Sequence, residues 1–191
     1  MSGLLFIRHA ETDMAGTFCG HSDPPINSRG RAQIAELMAR LVPETFDAIY
    51  SSDLRRAVNT AEALNKKFVV PVTTMPCLRE IHFGEWEGLT WAEIERRDAA
   101  YARRWNEAFP DLPAPGGEAH SAFERRVLKV TDDLLRLPED KRVALVTHGG
   151  VMRVVLQARF GFSQRHAWEL TKSYCSHFSL ASDVAFKEVS R

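Results

Sequence analysis

The residues with the clearest chemical potential lie where three apolar runs of the chain end. Arg8 and His9 follow the run LLFI, and His148 follows the run VALVT. Arg56 lies in the first turn of a predicted helix that follows a further apolar run, DAIYS. In open α/β sheets, ligands bind beyond the carboxyl ends of the strands, where helices also begin. Because helix N-termini offer unpaired N–H groups and a positive dipole end, we expect an anion site there, with phosphate as its ligand.

Each of these residues also has a plainer interpretation. A histidine at a strand end is often only a polar terminus, and an arginine in the first turn of a helix opposes the helix dipole. Arg56 is therefore unfavourable where it stands unless a negative group faces it, and we expect the neighbouring Arg55 to face solvent. Two histidines and an arginine at three separate strand ends favour an anion-handling site over three unrelated polar termini.

The hydrophobic pattern around these residues predicts an α/β domain with a mostly parallel sheet. Apolar residues follow strand, helix, strand, helix and strand periodicity up to residue 73; helices come next, and then a further strand and helix. The third strand, Val69–Thr73, contains Pro71 and is expected near an edge of the sheet. The alternating segments Cys175–Ala181 and Val184–Val189, joined by Ser182-Asp183, predict a terminal hairpin.

Polar residues that precede the apolar stripes predict where the helices begin. We expect N-caps from Ser28, from Ser51 or Ser52, and from Ser163. Two capping boxes are predicted, Thr90 with Glu93 and Ser121 with Glu124. The first box is expected to open a single helix whose apolar and aromatic residues are Trp91, Ile94, Tyr101 and Trp105.

The length of 191 residues fits one domain that spans 1–191. The segment from about Glu80 to Ala119 is the expected insert, because it shows no strand periodicity and holds Trp86, Trp91 and Trp105. We expect these rings to pack the insert, with an aromatic wall for a flat ligand as the alternative.

The composition argues against several classes of partner. Lys+Arg and Asp+Glu are both 25, so the formal net charge is zero, whereas surfaces for nucleic acid or anionic membranes show a basic excess. We therefore expect no nucleic-acid partner and no membrane partner, and no stretch of 18 apolar residues occurs. Three scattered cysteines and a first apolar run too short for a signal peptide predict a cytoplasmic protein. A homodimer is left open.

No metal site and no cofactor are predicted. The seven histidines stand at positions 9, 21, 82, 120, 148, 166 and 177, and no two are three or four residues apart, the spacing of helical metal ligands. The glycine-rich phosphate loops of nucleotide-binding modules are missing from the sequence as well. The predicted ligand is a small-molecule phosphate ester or inorganic phosphate.

Four motifs, in this order and spacing, resemble the histidine phosphatase superfamily, which has the phosphoglycerate-mutase-like fold. They are R-H-A-E-T from Arg8, R-A-x-x-T-A from Arg56, L-R-E-I-x-F-G-x-W-E-G from Leu78 and V-T-H-G-G-V-x-R from Val146. The resemblance covers about residues 4–180. It implies a doubly wound, mostly parallel sheet with helices on both faces and with the helical insert over the active site.

The resemblance also implies roles for individual residues. His9 would attack a phosphate monoester and form a phosphohistidine. Arg8, Arg56 and His148 would bind the phosphoryl oxygens in place of a metal ion. Glu80 would protonate the leaving group. The candidate substrate contacts are Thr12, Cys19, Gly20, His21, His82 and Gly149.

Within the superfamily, two segments are similar to the α-ribazole phosphatase branch of cobalamin biosynthesis. They are Cys19–Ile26 and Tyr101–Val127, the second of which contains Pro-Gly-Gly-Glu at 115–118 and Arg126. Cofactor-dependent phosphoglycerate mutases carry an asparagine where this chain has Ala15, and Ala10 replaces the usual glycine of the first motif. We therefore expect a phosphatase. The alternatives are a mutase, a broad-specificity phosphatase and, less favoured, a non-catalytic module that binds phospho-ligands.

Overall fold

The computed structural model describes residues 3–42, 44–138, 140–181 and 186–188. Within them, six strands form one sheet in the order β3-β2-β4-β1-β5-β6. The strands β1 to β4 are parallel, β5 is antiparallel to β1, and β6 is antiparallel to β5. The strands are β1 Gly3–Arg8, β2 Ala48–Ser51, β3 Val72–Thr74, β4 Arg142–Thr147, β5 His177–Ala181 and β6 Phe186–Glu188.

Seven α-helices connect these strands in the described part of the chain, with short 3₁₀ turns at Pro76–Leu78 and Gly84–Trp86. None of these helices has the length and apolar content that a bilayer span requires. The helices are α1 Ser28–Arg40, α2 Arg55–Phe68, α3 Trp91–Arg97, α4 Ala99–Ala108, α5 His120–Leu135, α6 Gly149–Phe160 and α7 Gln164–Thr171.

The two faces of the sheet bury two separate sets of apolar residues. In β1, Leu4 and Phe6 belong to the cluster that contains α5 and α6, whereas Leu5 and Ile7 belong to the cluster that contains α1 and α2. The alternation continues across the sheet, because Phe6 is in register with Leu145 of β4. Helices therefore cover both faces, and the predicted doubly wound α/β fold is confirmed.

The predicted edge strand and terminal hairpin are both present. β3 lies at one end of the sheet, and its three side chains are exposed. It begins at Val72 instead of Val69, after Pro71, which has no N–H for a strand ladder. β5 and β6 pair as an antiparallel hairpin, and the predicted turn Ser182-Asp183 lies outside the described residues.

The predicted N-cap of α1 is wrong by one residue and that of α5 by two, which changes both caps. Asn27 caps α1 in place of Ser28, because its side chain accepts the N–H of Gly30 at 2.8 Å. Ala119 precedes α5, which has no side-chain cap. The box predicted at Ser121 and Glu124 does not form, since Ser121 already lies in the first turn.

The N-terminus of α2 is capped from a distant loop. The helix begins at Arg55, and the carboxylate of Asp23 accepts the N–H of that residue. The predicted cap Ser52 instead accepts the N–H of Leu54 at 3.3 Å, before the helix starts, and Ser51 donates to the Ser52 carbonyl at 2.8 Å. Local sequence could not reveal a cap supplied from 32 residues away.

Residues 75–119 connect β3 to α5 and contain helices and turns but no strand. The capping box of Thr90 and Glu93 is confirmed. The expected single helix is two helices, because Asp98 ends α3 and its side chain caps α4. Ser163 caps α7 as predicted. A small separate core of Trp86, Ile94, Ala102 and Ala114 holds the segment together.

Candidate active site

The carboxyl ends of β1 and β4 bring the first and last predicted motifs together. The backbone N–H of His9 donates to the Thr147 carbonyl at 2.8 Å. The ring centroids of His9 and His148 lie 5.0 Å apart. Both rings are buried, and α6 begins directly after His148. The expected meeting of two histidines with a helix N-terminus is therefore present.

His9 is held as a neutral ring whose lone pair lies on Nε2. Its Nδ1 lies 2.7 Å from the Ala10 carbonyl, which can only accept, so the ring proton sits on Nδ1. Nε2 then carries the lone pair and accepts a hydrogen bond from Arg56 Nε at 3.3 Å. Burial, followed by the charges of Arg56 and Arg8, lowers the pKa of His9 well below its usual value. A neutral imidazole with an unprotonated Nε2 is the form that a nucleophile needs.

Arg56 is fully buried, and its guanidinium donates hydrogen bonds to backbone carbonyls. Its Nη1 donates to the Ser22 carbonyl at 2.6 Å, and Nη2 donates to the carbonyls of Cys19 at 3.2 Å and Gly20 at 2.6 Å. The negative group that the sequence required is thus a set of carbonyl dipoles. Arg56 does not line the cavity described below; it fixes the loop 19–22 and faces His9. Arg55 is exposed, as expected.

Arg8 is tied down at one end of its guanidinium. Nη1 donates to the carbonyl of Thr171 at 3.0 Å and to that of Lys172. The ring of Tyr174 packs 4.2 Å from the guanidinium carbon. Nε is buried and has no hydrogen-bond partner among the described residues. Burial lowers the pKa of Arg8, and a buried donor without a partner is a ready ligand for an anion.

His148 offers a second buried donor without a partner. Its Nε2 lies 2.9 Å from the hydroxyl of Ser52, which already accepts the N–H of Leu54. The Ser52 hydroxyl can donate to Nε2, and the ring proton then lies on Nδ1. That nitrogen is buried and has no partner within the described chain. Burial, and next the charge of Arg56, lowers the pKa of His148 well below its usual value.

Glu80 lies against the first turn of α6. Its Oε2 accepts the N–H of Gly150 at 2.8 Å, and its Oε1 accepts the N–H of Ile81 at 3.0 Å. The side chain is buried and also lines the cavity. A carboxyl group in this position can exchange a proton with a ligand bound in front of His9.

Arg8, His9 and Glu80 border one cavity of about 1180 Å³. Of the eleven predicted site residues, seven line it and four do not. Arg56, His148, Gly20 and His21 do not line it. The seven lining residues are Arg8, His9, Thr12, Cys19, Glu80, His82 and Gly149.

Gly20 and His21 belong to the support of the site. Their backbone N–H groups donate to the Glu87 carboxylate at 3.0 and 2.7 Å. The His21 ring lies 4.7 Å from that of His82, and its Nε2 is 3.1 Å from the Glu80 carbonyl. Cys19 lines the cavity, but burial raises the pKa of its thiol, so the thiol is the neutral, poorly nucleophilic form.

The far wall of the cavity is aromatic and comes mainly from the insert. Trp91 and Trp105 are half-buried and line it, whereas Trp86 is buried in the insert core. Phe18, from the loop after β1, lies 6.0 Å from Trp105 and links the insert to the strand end that bears His9. Trp86 thus has only the packing role, whereas Trp91 and Trp105 pack against the insert core and also line the cavity.

Among the cavity residues that were not predicted as site residues, Tyr174 and Arg153 stand closest to the predicted motifs. Tyr174 packs against both Arg8 and His9, with its ring centroid 5.5 Å from that of His9. It follows α7 in a loop and carries no signal in a single sequence. Arg153 lines the cavity one helical turn after Gly149, and this four-residue spacing within the last motif could have indicated it. In the described residues, no three His, Cys, Asp or Glu side chains are grouped to hold a metal ion.

Comparison with known proteins places this site in a family. The model of the histidine phosphatase superfamily (branch 1) matches residues 4–188. The chain is 30% identical over 171 residues to the adenosylcobalamin/alpha-ribazole phosphatase of Escherichia coli (strain K12), covering 86% of this chain and 82% of that protein. It is 34% identical over 158 residues to the metal-independent phosphoserine phosphatase of Arabidopsis thaliana, covering 80% and 66%.

A solved structure shows the same fold. The alpha-ribazole phosphatase from Shigella flexneri superimposes with a TM-score of 0.83 at 27% sequence identity, over 93% of this chain and 89% of that chain. The superposition covers most of both chains, so the resemblance between the sequences extends to the architecture.

Proposed function

The chain belongs to branch 1 of the histidine phosphatase superfamily, and from that premise we propose that it hydrolyses its substrate through a phosphohistidine on His9. It is a phosphatase that acts on small-molecule phosphate esters. The observation that carries the proposal is the state of His9, a neutral ring that lines the cavity with its lone pair on Nε2. We also propose that 1–191 is one such domain, with about residues 80–119 as the insert over the site.

The proposed reaction has two displacements at phosphorus. In the first, His9 Nε2 forms a bond to phosphorus, the ester P–O bond breaks, and a protonated Glu80 gives its proton to the leaving oxygen. In the second, water attacks the phosphorus of the phosphohistidine, Glu80 takes a proton from that water, and the P–N bond breaks to release phosphate. Covalent catalysis of this kind replaces one difficult step by two easier ones.

Buried donors would stabilise the charge that develops on the phosphoryl oxygens. Arg8 Nε and His148 Nδ1 are both buried without partners in the described chain. Arg56 adds its charge beside His9 Nε2, to which it donates, and the N-terminus of α6 adds its dipole end. Donors already fixed in a site from which water is excluded are worth more than the same donors in water.

The cavity supports a substrate with a bulky, flat leaving group. Its volume of about 1180 Å³ far exceeds the needs of a phosphate. Trp91, Trp105 and Phe109 line the cavity and offer ring faces and edges for stacking. α-Ribazole phosphate, which carries a dimethylbenzimidazole, has this chemistry, and we propose it as the substrate, in cobalamin biosynthesis.

The test combines trapping of the intermediate with a substrate screen. Substrate labelled on phosphorus should leave acid-labile, base-stable label on the wild-type protein and none on His9→Ala, whose folding is checked by circular dichroism. Phosphate release is then compared for α-ribazole phosphate, phosphoserine, phosphoglycerates, sugar phosphates and nucleotides. Full activity of His9→Ala would reject the nucleophile, and a clear preference for a small leaving group would reject α-ribazole phosphate.

A further inference from the structure

We propose that Arg126, oriented by Glu118, is a positioning residue that holds Glu80 against the N-terminus of α6. The inference rests on the proposed role of Glu80 as the proton donor. Arg126 lies on α5 and does not line the cavity, so any effect on the reaction must pass through the groups that it binds.

Arg126 binds the backbone on both sides of the Glu80 Cα. Its Nη1 donates to the carbonyls of Cys77 at 2.9 Å and Arg79 at 2.7 Å. Its Nη2 donates to the Glu80 carbonyl at 2.9 Å. The Arg79 carbonyl belongs to the peptide before Glu80 and the Glu80 carbonyl to the peptide after it. One guanidinium therefore fixes the two peptide planes from which the Glu80 side chain departs.

Glu118 fixes the guanidinium in turn. Arg126 Nε and Nη2 donate to Oε1 and Oε2 of Glu118, both at 2.8 Å, in a bidentate pair whose side chains are 23% and 19% exposed. The backbone N–H of Glu118 donates to the His82 carbonyl at 2.9 Å, and its Oε2 accepts the N–H of His82 at 3.3 Å. Burial alone would raise the pKa of Glu118, but Arg126 outweighs it and keeps the carboxylate ionised. The pair thus binds backbone groups of the chain between residues 77 and 82.

These contacts matter because proton transfer depends on geometry. Arg126 fixes the backbone of Glu80, and the carboxylate oxygens of Glu80 accept hydrogen bonds from the N–H groups of Ile81 and Gly150. A misplacement of about 1 Å in such a group can lower a rate about 100-fold. A lysine at position 126 keeps the charge but cannot reproduce the planar fork that binds one carboxylate and three carbonyls.

The test measures phosphohistidine formation in a single turnover with two substrates. An alkyl phosphate needs a proton on its leaving oxygen, and p-nitrophenyl phosphate does not. We expect Arg126→Gln to slow the reaction of the alkyl phosphate about 10–100-fold and that of p-nitrophenyl phosphate less than about threefold. Arg126→Lys should show the same selectivity with a smaller loss. The matched control, Arg125→Gln, removes an exposed guanidinium from the same helix and should leave both rates unchanged.

A second readout separates positioning from a general structural effect. In a Glu80→Gln background, Arg126→Gln should cost no more than about twofold, because the group through which it acts is gone. Equal losses on the two substrates, or an undiminished loss in that background, would overturn the inference. If thermal unfolding shows that Arg126→Gln is not folded, the same two-substrate comparison is made with Arg126→Lys and Glu118→Gln. Both substitutions nearly preserve the length of the side chain.

The outcome for Glu80→Gln alone tells two failures apart. If Glu80→Gln is selective for the alkyl phosphate and Arg126→Gln is not, the inference fails and the proposed role of Glu80 stands. If Glu80→Gln itself slows both substrates equally, the proposed role of Glu80 fails and the inference falls with it.

Discussion

Glu80 and Gly150 lie so close together that a Cβ at position 150 would be 2.0 Å from Glu80 Oε1. The N–H of Gly150 meanwhile donates to Glu80 Oε2 at 2.8 Å. Arg126 holds the backbone at Glu80 in place. With a Cβ at position 150, the Glu80 side chain would therefore have to rotate away from α6. The missing side chain at Gly150 is therefore what lets Glu80 reach the helix N-terminus.

We expect Gly150→Ala to lower kcat for an alkyl phosphate about 10–100-fold, because the Glu80 carboxyl group is displaced. The protein should stay folded, since alanine is favoured over glycine in a helix by about 1 kcal/mol, which offsets part of the clash. Steady-state kinetics and thermal unfolding measure the two effects. In a Glu80→Ala background the clash is relieved, so a further loss of activity on adding Gly150→Ala would contradict the explanation.

The two buried histidines should make the protein sensitive to acid. Burial first, and Arg56 next, lowers the pKa of His9 and of His148 well below their usual value of 6.5. Below that pH the unfolded chain binds protons that the folded chain does not, so the free energy of unfolding falls as the pH falls. Above it the contribution of each ring to stability is fully present.

We expect a slope of up to about 1.4 kcal/mol per pH unit for each of these rings at acid pH. Urea unfolding from about pH 7.5 to about pH 5.5 measures it. His148→Gln should remove its share of the slope. A wild-type stability that does not change over this range would show that the rings are not held neutral.

Tyr174 should affect anion binding through its ring contact with the guanidinium of Arg8. Its ring lies 4.2 Å from the guanidinium carbon, and a cation–π contact of this kind contributes about 0.5–2 kcal/mol. Tyr174→Leu should therefore weaken inhibition by inorganic phosphate or vanadate about 2–30-fold. Tyr174→Phe keeps the ring and should stay within about twofold of the wild type. Equal weakening in the two variants would assign the effect to the hydroxyl group instead.

The strand ends and their polar residues were predictable because they depend on local sequence. Buried strands read as apolar runs, and such a run places Arg8, His9 and His148 at one edge of a parallel sheet. The sequence also showed that Arg56 needs a negative group in front of it. It could not show that the group is a set of carbonyls from the loop 19–22, because that contact spans 34 to 37 residues.

Contacts between distant segments account for the other differences. Asp23 caps α2 across 32 residues, so the prediction that a nearby serine caps this helix is wrong. Tyr174 reaches His9 only because α7 returns the chain to the strand ends. The prediction for the insert was coarser than for the sheet, since tryptophans at helical spacing look alike whether they fill a core, as Trp86 does, or line a cavity, as Trp105 does.

The rim of the aromatic wall offers a direct test of the proposed leaving group. Phe109 is 42% exposed and lines the cavity, with its ring centroid 5.1 Å from that of Trp105. A flat ring bound there would gain about 0.5–1.5 kcal/mol from an aromatic contact. Phe109→Ala should therefore raise KM for α-ribazole phosphate about 2–13-fold. For phosphoserine, whose small leaving group does not reach the rim, KM should not change. Val42→Ala, at an exposed apolar position outside the cavity, is the matched control. A rise of KM for both substrates would mean that Phe109 supports the fold of the insert, and no rise for either would place the leaving group elsewhere in the cavity.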